Sequence, residues 1–118
     1  MDSGIYILLI DVAEPFATVA GRLGEVHFRP GWYLYVGSAQ RNLGARIARH
    51  ARADKQLRWH IDYLTSRAEV VGVVEIEGGR DRECEVAAEL AERFQRPIRQ
   101  FGSSDCRCGG HLFYTRQL

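Results

Sequence analysis

Two well-separated tyrosines, an arginine and a histidine four residues apart, and a later glutamate supply the ingredients of phosphate chemistry: Tyr6, Tyr35, Arg46, His50 and Glu83. Hydrolysis of a phosphodiester needs an activated water, a cation facing the non-bridging oxygens, and stabilisation of the leaving oxygen. Arg46 carries a planar, permanently charged fork that matches a phosphate. A phenol with its ordinary pKa of about 10 is a poor base at neutral pH. A guanidinium and a metal ion beside it would shift that value down. Glu83 is a hard oxygen ligand, and one carboxylate with waters and substrate phosphate is a usual way to hold Mg²⁺. Such an ion is a Lewis acid that steadies the leaving alkoxide. Each residue also has a plainer reading. The tyrosines can be strand aromatics, Arg46 a solvated helix residue, and His50 a cation at a helix C-terminus, where the dipole favours it.

Charge is divided along the chain, although the net value is only +1. Arg41, Arg46, Arg49, Arg52, Lys55 and Arg58 face one acid, Asp54, in the same stretch; between residues 69 and 92 acids dominate, against Arg80 and Arg82. A local basic stripe suits phosphate binding, because each neutralised phosphate releases counterions. Arg49, Arg52, Lys55 and Arg58 are therefore candidate diffuse nucleic-acid contacts, with solvated helix faces as the alternative. Cys106, Cys108 and His111, with Cys84 from an earlier helix, form a second constellation of soft ligands suited to tetrahedral Zn²⁺. Their spacing is not that of a standard knuckle, so buried thiols or a redox pair remain open.

The elements that must position these side chains follow from periodicity. Residues 4–10 read as a buried strand and 11–15 as a break. Residues 16–28 read as a hairpin containing Gly21 and Gly24. After the Pro30-Gly31 turn, a strand over 32–36 places Tyr33 and Tyr35 on one face and Trp32, Leu34 and Val36 on the other. Asn42 can cap a helix whose buried face is Leu43, Ile47 and Ala51, with Arg46 and His50 on the neighbouring stripe. A second helix is expected over about residues 55–66, with Leu57, Ile61 and Leu64 inward and Trp59 and Tyr63 as packing residues. On it, His60 and Asp62 diverge and make no simple dyad. A strand over 70–76, a helix from Asp81 or Arg82 closed by Pro97, and short strands over 98–101 and 112–114 complete an α/β domain of α+β type. Its sheet is mostly antiparallel, with about three helices.

At 118 residues, with 46% hydrophobic and 26% charged, the composition fits one globular domain over 1–118. No apolar run approaches the roughly 20 residues that span a bilayer. The missing secretory pattern and the odd number of cysteines lead to the expectation of a cytoplasmic protein.

The order Gly4-Ile5-Tyr6, Tyr35-Val36-Gly37-Ser38, Asn42-Leu43, Arg46, His50 and Glu83 resembles the GIY-YIG nuclease superfamily. Val36 stands where an isoleucine gives that superfamily its name. The segments around Pro30, Trp59-His60-Ile61-Asp62-Tyr63-Leu64 and Phe101-Gly102-Ser103-Ser104-Asp105-Cys106 are similar to its Uri branch of endonucleases, over nearly the whole chain. The resemblance implies a Mg²⁺- or Mn²⁺-dependent DNA endonuclease, with RNA or branched nucleic acid left open as substrates. Tyr6, Tyr35, Arg46 and His50 would be catalytic, and Glu83 would hold the metal. Glu83 is preferred to Glu85 because Val86 and Ala87 follow it as the family's apolar pair does; the two carboxylates point about 200° apart on a helix. The alternative is a binding module of the same fold that cleaves little, with or without structural zinc.

Overall fold

The apolar stretch after Gly4 becomes strand β1 (Gly4–Val12), the centre of a four-stranded sheet; the computed structural model describes residues 2–102 and 110–117. β2 (Phe16–Val19) and β3 (Glu25–Phe28) form a separate hairpin around a 3₁₀ turn at Gly21–Leu23. β4 (Gly31–Ala39) pairs with β1 antiparallel, with Tyr6 opposite Gly37 and Leu8 opposite Tyr35. β5 (Glu69–Ile76) lies on the other side of β1, and β6 (Leu112–Thr115) beyond β4, so the order is β5-β1-β4-β6. All the ladders are antiparallel. The helices are α1 (Leu43–Ala51), α2 (His60–Thr65) and α3 (Arg80–Ala91). The α+β architecture matches the sequence reading.

The period of two sorts the strand residues into two cores. Tyr6, Leu8 and Ile10 from β1 and Tyr33 and Tyr35 from β4 pack with Leu43, Ile61, Leu64 and Phe101, beneath α1, α2 and the hairpin. Ile5 and Val36 pack on the opposite face with Phe113 and with Val86 and Ala87 of α3. No described helix is long and apolar enough to cross a membrane.

Four local expectations change. On α1 the buried positions are Leu43 and His50, while Ala51 is exposed; the helix is rotated so that an imidazole, not a methyl, enters the core. Asn42 sits at the cap in a left-handed conformation without a side-chain bond; the start of α1 is instead tied to Asp2, whose carbonyl accepts the N–H of Leu43 at 2.9 Å. α2 is only six residues long and Leu57 is exposed. Its start is set by Asp62, whose carboxylate accepts the N–H groups of Arg58 and Trp59 at 2.7 and 2.9 Å. The chain before it is folded back on the end of α1 by Arg49, which donates to the Gln56 carbonyl, and by Lys55, which donates to the His50 carbonyl. Finally, residues 98–101 form a turn rather than a strand; the partner of β6 beyond β4 is a single bridge between Gln95 and Tyr114.

Candidate active site

The cavity of about 210 Å³ at the end of the sheet where β1 begins and β4 ends is lined by Tyr6, Tyr35, Arg46, His50 and Glu83, among others. These five residues come from two strands and two helices. Two glycines allow the rings to lie where they do. A Cβ on Gly37 would stand 2.4 Å from the Tyr6 ring directly across the ladder, and one on Gly102 would stand 2.7 Å from the Tyr35 ring.

Ser38 is the joint between the two faces of the sheet. Its hydroxyl donates to Glu83 Oε1 on the α3 side, while its carbonyl accepts from Arg46 at 2.7 Å on the α1 side. The other Glu83 oxygen, Oε2, lies 2.7 Å from His111 Nδ1, and the His111 carbonyl accepts the Val36 N–H, which fixes that residue beside β4. Burial would raise the Glu83 pKa, but His111 and Ser38 outweigh it and hold the carboxylate below its ordinary value. Glu83 is therefore ionised at neutral pH.

Tyr6 is 3% exposed and His50 1% exposed, and the phenol oxygen lies 2.8 Å from His50 Nε2. Burial pushes the imidazole down to about pKa 4, with Lys55 contributing, so His50 is neutral. Its Nδ1 is buried and has no partner among the described residues. A buried N–H without an acceptor is costlier than a bare lone pair, which places the proton on Nε2, donating to the Tyr6 oxygen. Burial also raises the Tyr6 pKa above its ordinary value, with Glu83 acting in the same direction and Arg46 opposing both. Arg46 acts in the expected downward direction, but without a metal ion desolvation outweighs it, and Tyr6 is a phenol in the protein alone. Tyr35 is displaced the same way, by burial first. No described residue bonds its hydroxyl.

The basic stripe divides into two kinds of residue. Arg46 and Arg58 line the cavity, and both guanidiniums lie near the Trp59 ring, at 5.1 and 5.7 Å. Arg49 is committed to the fold: it makes a two-pronged pair with Asp62, at 2.8 and 3.0 Å, and Asp62 is completely buried. Lys55 is half-buried and likewise bonded within the fold. Its ammonium closes the end of α1 and bonds Thr65, and burial lowers its pKa to about 8. Arg52 is exposed.

For the soft-ligand constellation, Cys84 and His111 line the cavity, while Cys106 and Cys108 fall outside the described residues. Among the described residues, no group of three or more His, Cys, Asp or Glu side chains is placed to hold a metal ion. Glu83 retains lone pairs beyond those used by Ser38 and His111. A single ionised carboxylate with free lone pairs facing a cavity fits a hard cation that keeps most of its waters.

Sequence reasoning missed four cavity residues. In the linear chain Ser38 only extends a tyrosine motif, Trp59 reads as a packing residue, and Arg80 is a counter-charge in the acidic segment. His60 had no role; it accepts a hydrogen bond from the Gly102 N–H at 3.0 Å, while Asp62 turns to Arg49, so the two diverge as expected. The signal for Ser38 was its place directly after Gly37. His60 is marked only by the segment 59–64 that carries the family resemblance, and Arg80 has no local signal, because the cavity forms only on tertiary folding.

The chain belongs to the family described as domain of unknown function DUF123, whose model matches residues 5–118. No curated protein and no solved structure matches it.

Proposed function

We propose that this member of the DUF123 family is a divalent-metal-dependent endonuclease of the GIY-YIG type, related to the Uri branch, acting on DNA in the cytoplasm. The observation that carries this reading is the convergence of Tyr6, Tyr35, Arg46, His50 and Glu83 on one cavity. An ionised carboxylate, cavity-facing guanidiniums and a hydrogen-bonded phenol are what phosphodiester hydrolysis asks for. Arg46, held by the Ser38 carbonyl, pairs with the non-bridging oxygens of the scissile phosphate. Tyr6 enters as a phenol. Its oxygen is held by His50, which leaves its own O–H to orient the attacking water or the phosphate. Tyr35 forms the adjoining wall. Glu83 would hold Mg²⁺ or Mn²⁺, which when bound supplies Lewis-acid stabilisation of the leaving oxygen. Arg58 adds a phosphate contact at the rim.

Purified protein should nick supercoiled plasmid or branched DNA in Mg²⁺ or Mn²⁺, stop in EDTA, and lose the activity in Glu83→Gln. A protein that binds DNA with a salt-dependent affinity and never cleaves it would favour the binding-module reading instead.

A further inference from the structure

His60, the first residue of α2, lines the cavity beside Tyr35 and Arg46 but belongs to none of the groups assigned above. Its ring rests against Phe101, with centroids 5.6 Å apart, and its Nδ1 faces the Gly102 N–H. That amide is firmly placed. Phe101 is fully buried, its carbonyl accepts the His111 N–H at 2.8 Å, and Gly102 has φ +73° with no space for a Cβ beneath Tyr35. An amide N–H can only donate, so Nδ1 must be the unprotonated nitrogen and the proton of the neutral ring sits on Nε2. No described residue takes that Nε2–H. Protonating the ring would set a second N–H against the Gly102 N–H, and burial lowers the His60 pKa in the same sense. Three guanidiniums, those of Arg46, Arg58 and Arg80, line the same cavity, so the ligand expected there is anionic.

We propose that the Gly102 amide locks His60 in the tautomer that carries its proton on Nε2, and that this N–H donates a hydrogen bond to a phosphate oxygen of the substrate. A locked neutral ring cannot serve as the acid that protonates a leaving group. Its part is to bind and orient phosphate as a neutral donor. The assignment of the phosphate to a nucleic-acid substrate rests on the nuclease reading; the donor itself does not.

Two variants separate anchor from donor. His60→Asn can keep an oxygen near the Nδ1 position for Gly102 but has nothing at Nε2. His60→Gln can place an N–H near Nε2 but loses the anchor. Nicking by His60→Asn should fall about ten- to hundredfold in kcat/KM, the scale of a hydrogen bond to a charged group. His60→Gln should recover part of that loss. Nitrogen-15 NMR of the imidazole reads the proposal without any cleavage. Nε2 should be protonated and Nδ1 bare at pH 7, and the Nε2 resonance should move on titration with inorganic phosphate. Protonation on Nδ1, or an Nε2 signal indifferent to phosphate, overturns the proposal. So does a His60→Asn enzyme within twofold of an active wild type. A wild type that cleaves nothing while its Nε2 still responds to phosphate would remove the nuclease reading and leave this donor standing.

Discussion

Two polar clusters flank α1, and they use the same residue types to opposite ends. On one side Arg49 forks onto Asp62, which also accepts the backbone N–H groups of Arg58 and Trp59, and Lys55 closes the last turn. Asp62 is buried and every bond runs inward. On the other side Arg46, three residues earlier, reaches the Ser38 carbonyl, and Ser38 in turn reaches Glu83 and so His111. Arg46 and Glu83 keep donors and lone pairs facing a cavity. The first cluster joins α2 to α1. The second leaves bonding capacity unused, and unused capacity beside a cavity is what a substrate can take up. Charge alone does not separate them; what each charge is bonded to does. Size does not find the site either. A larger hollow of about 620 Å³ under the hairpin, lined by Phe16, Phe28, Tyr33 and two prolines, gathers no carboxylate.

The contrast is broken most forcefully at Glu83. Glu83→Gln should reduce nicking per folded molecule a hundredfold or more, through lost metal stabilisation, while DNA binding persists; its urea midpoint should fall modestly, because Ser38 and His111 lose an ionised partner. Glu85→Gln is the control: Glu85 is exposed and pairs with Arg82 at the surface.

The inward cluster should answer the other assay. Asp62→Ala leaves Arg49 and two backbone N–H groups without their acceptor, so the variant should lose about 3 kcal/mol in urea unfolding. The folded Asp62 pKa is depressed by Arg49 and the two amides, against burial. Its contribution is therefore present above the ordinary carboxylate range and is lost as pH falls through the folded value.

His50 sharpens the comparison through pH. Its folded pKa of about 4 lies below the ordinary 6.5, so the unfolded chain binds the proton more readily. Stability should fall as pH drops from 6.5 towards 4, by at most about 3 kcal/mol. The fall over that window should flatten in His50→Gln, measured by denaturation at pH 7, 5.5 and 4.5. A wild type equally stable at all three values would show that the imidazole is not held neutral.

The smallest effect belongs to Gly37→Ala. The added Cβ must push the Tyr6 ring aside, at a cost of about 1–2 kcal/mol, and nicking should fall with the displaced phenol.

Much of this arrangement is legible in the linear chain, for reasons that can be located. The alternation around Tyr33 and Tyr35 sets the faces of β4, and the four-residue spacing of Arg46 and His50 turns both towards the same end of the molecule. What the chain does not show is who meets whom across long separations. Nothing in the type of Arg49 says that its carboxylate is Asp62, or that Arg46 takes a carbonyl instead. His60 finds Gly102, 42 residues away, only because Phe101 is buried between them. The balance of effects on Tyr6 is hidden for the same reason. A neighbouring guanidinium can be guessed from sequence, but the degree of burial that overrides it belongs to the packed structure.

The most direct test sets Arg46 against Arg49, neighbours on one helix with the same chemistry. Plasmid nicking in Mg²⁺ by Arg46→Gln and Arg49→Gln should be compared at a temperature where both are folded, with each urea midpoint measured alongside. Arg46→Gln should lose at least tenfold in rate with its midpoint nearly unchanged, and Arg49→Gln should lose about 2 kcal/mol of stability with its rate per folded molecule nearly unchanged. Equal losses of rate in the two variants, or an Arg46→Gln enzyme as fast as wild type, would contradict the division of the stripe into a fold-holding arginine and a substrate-binding one.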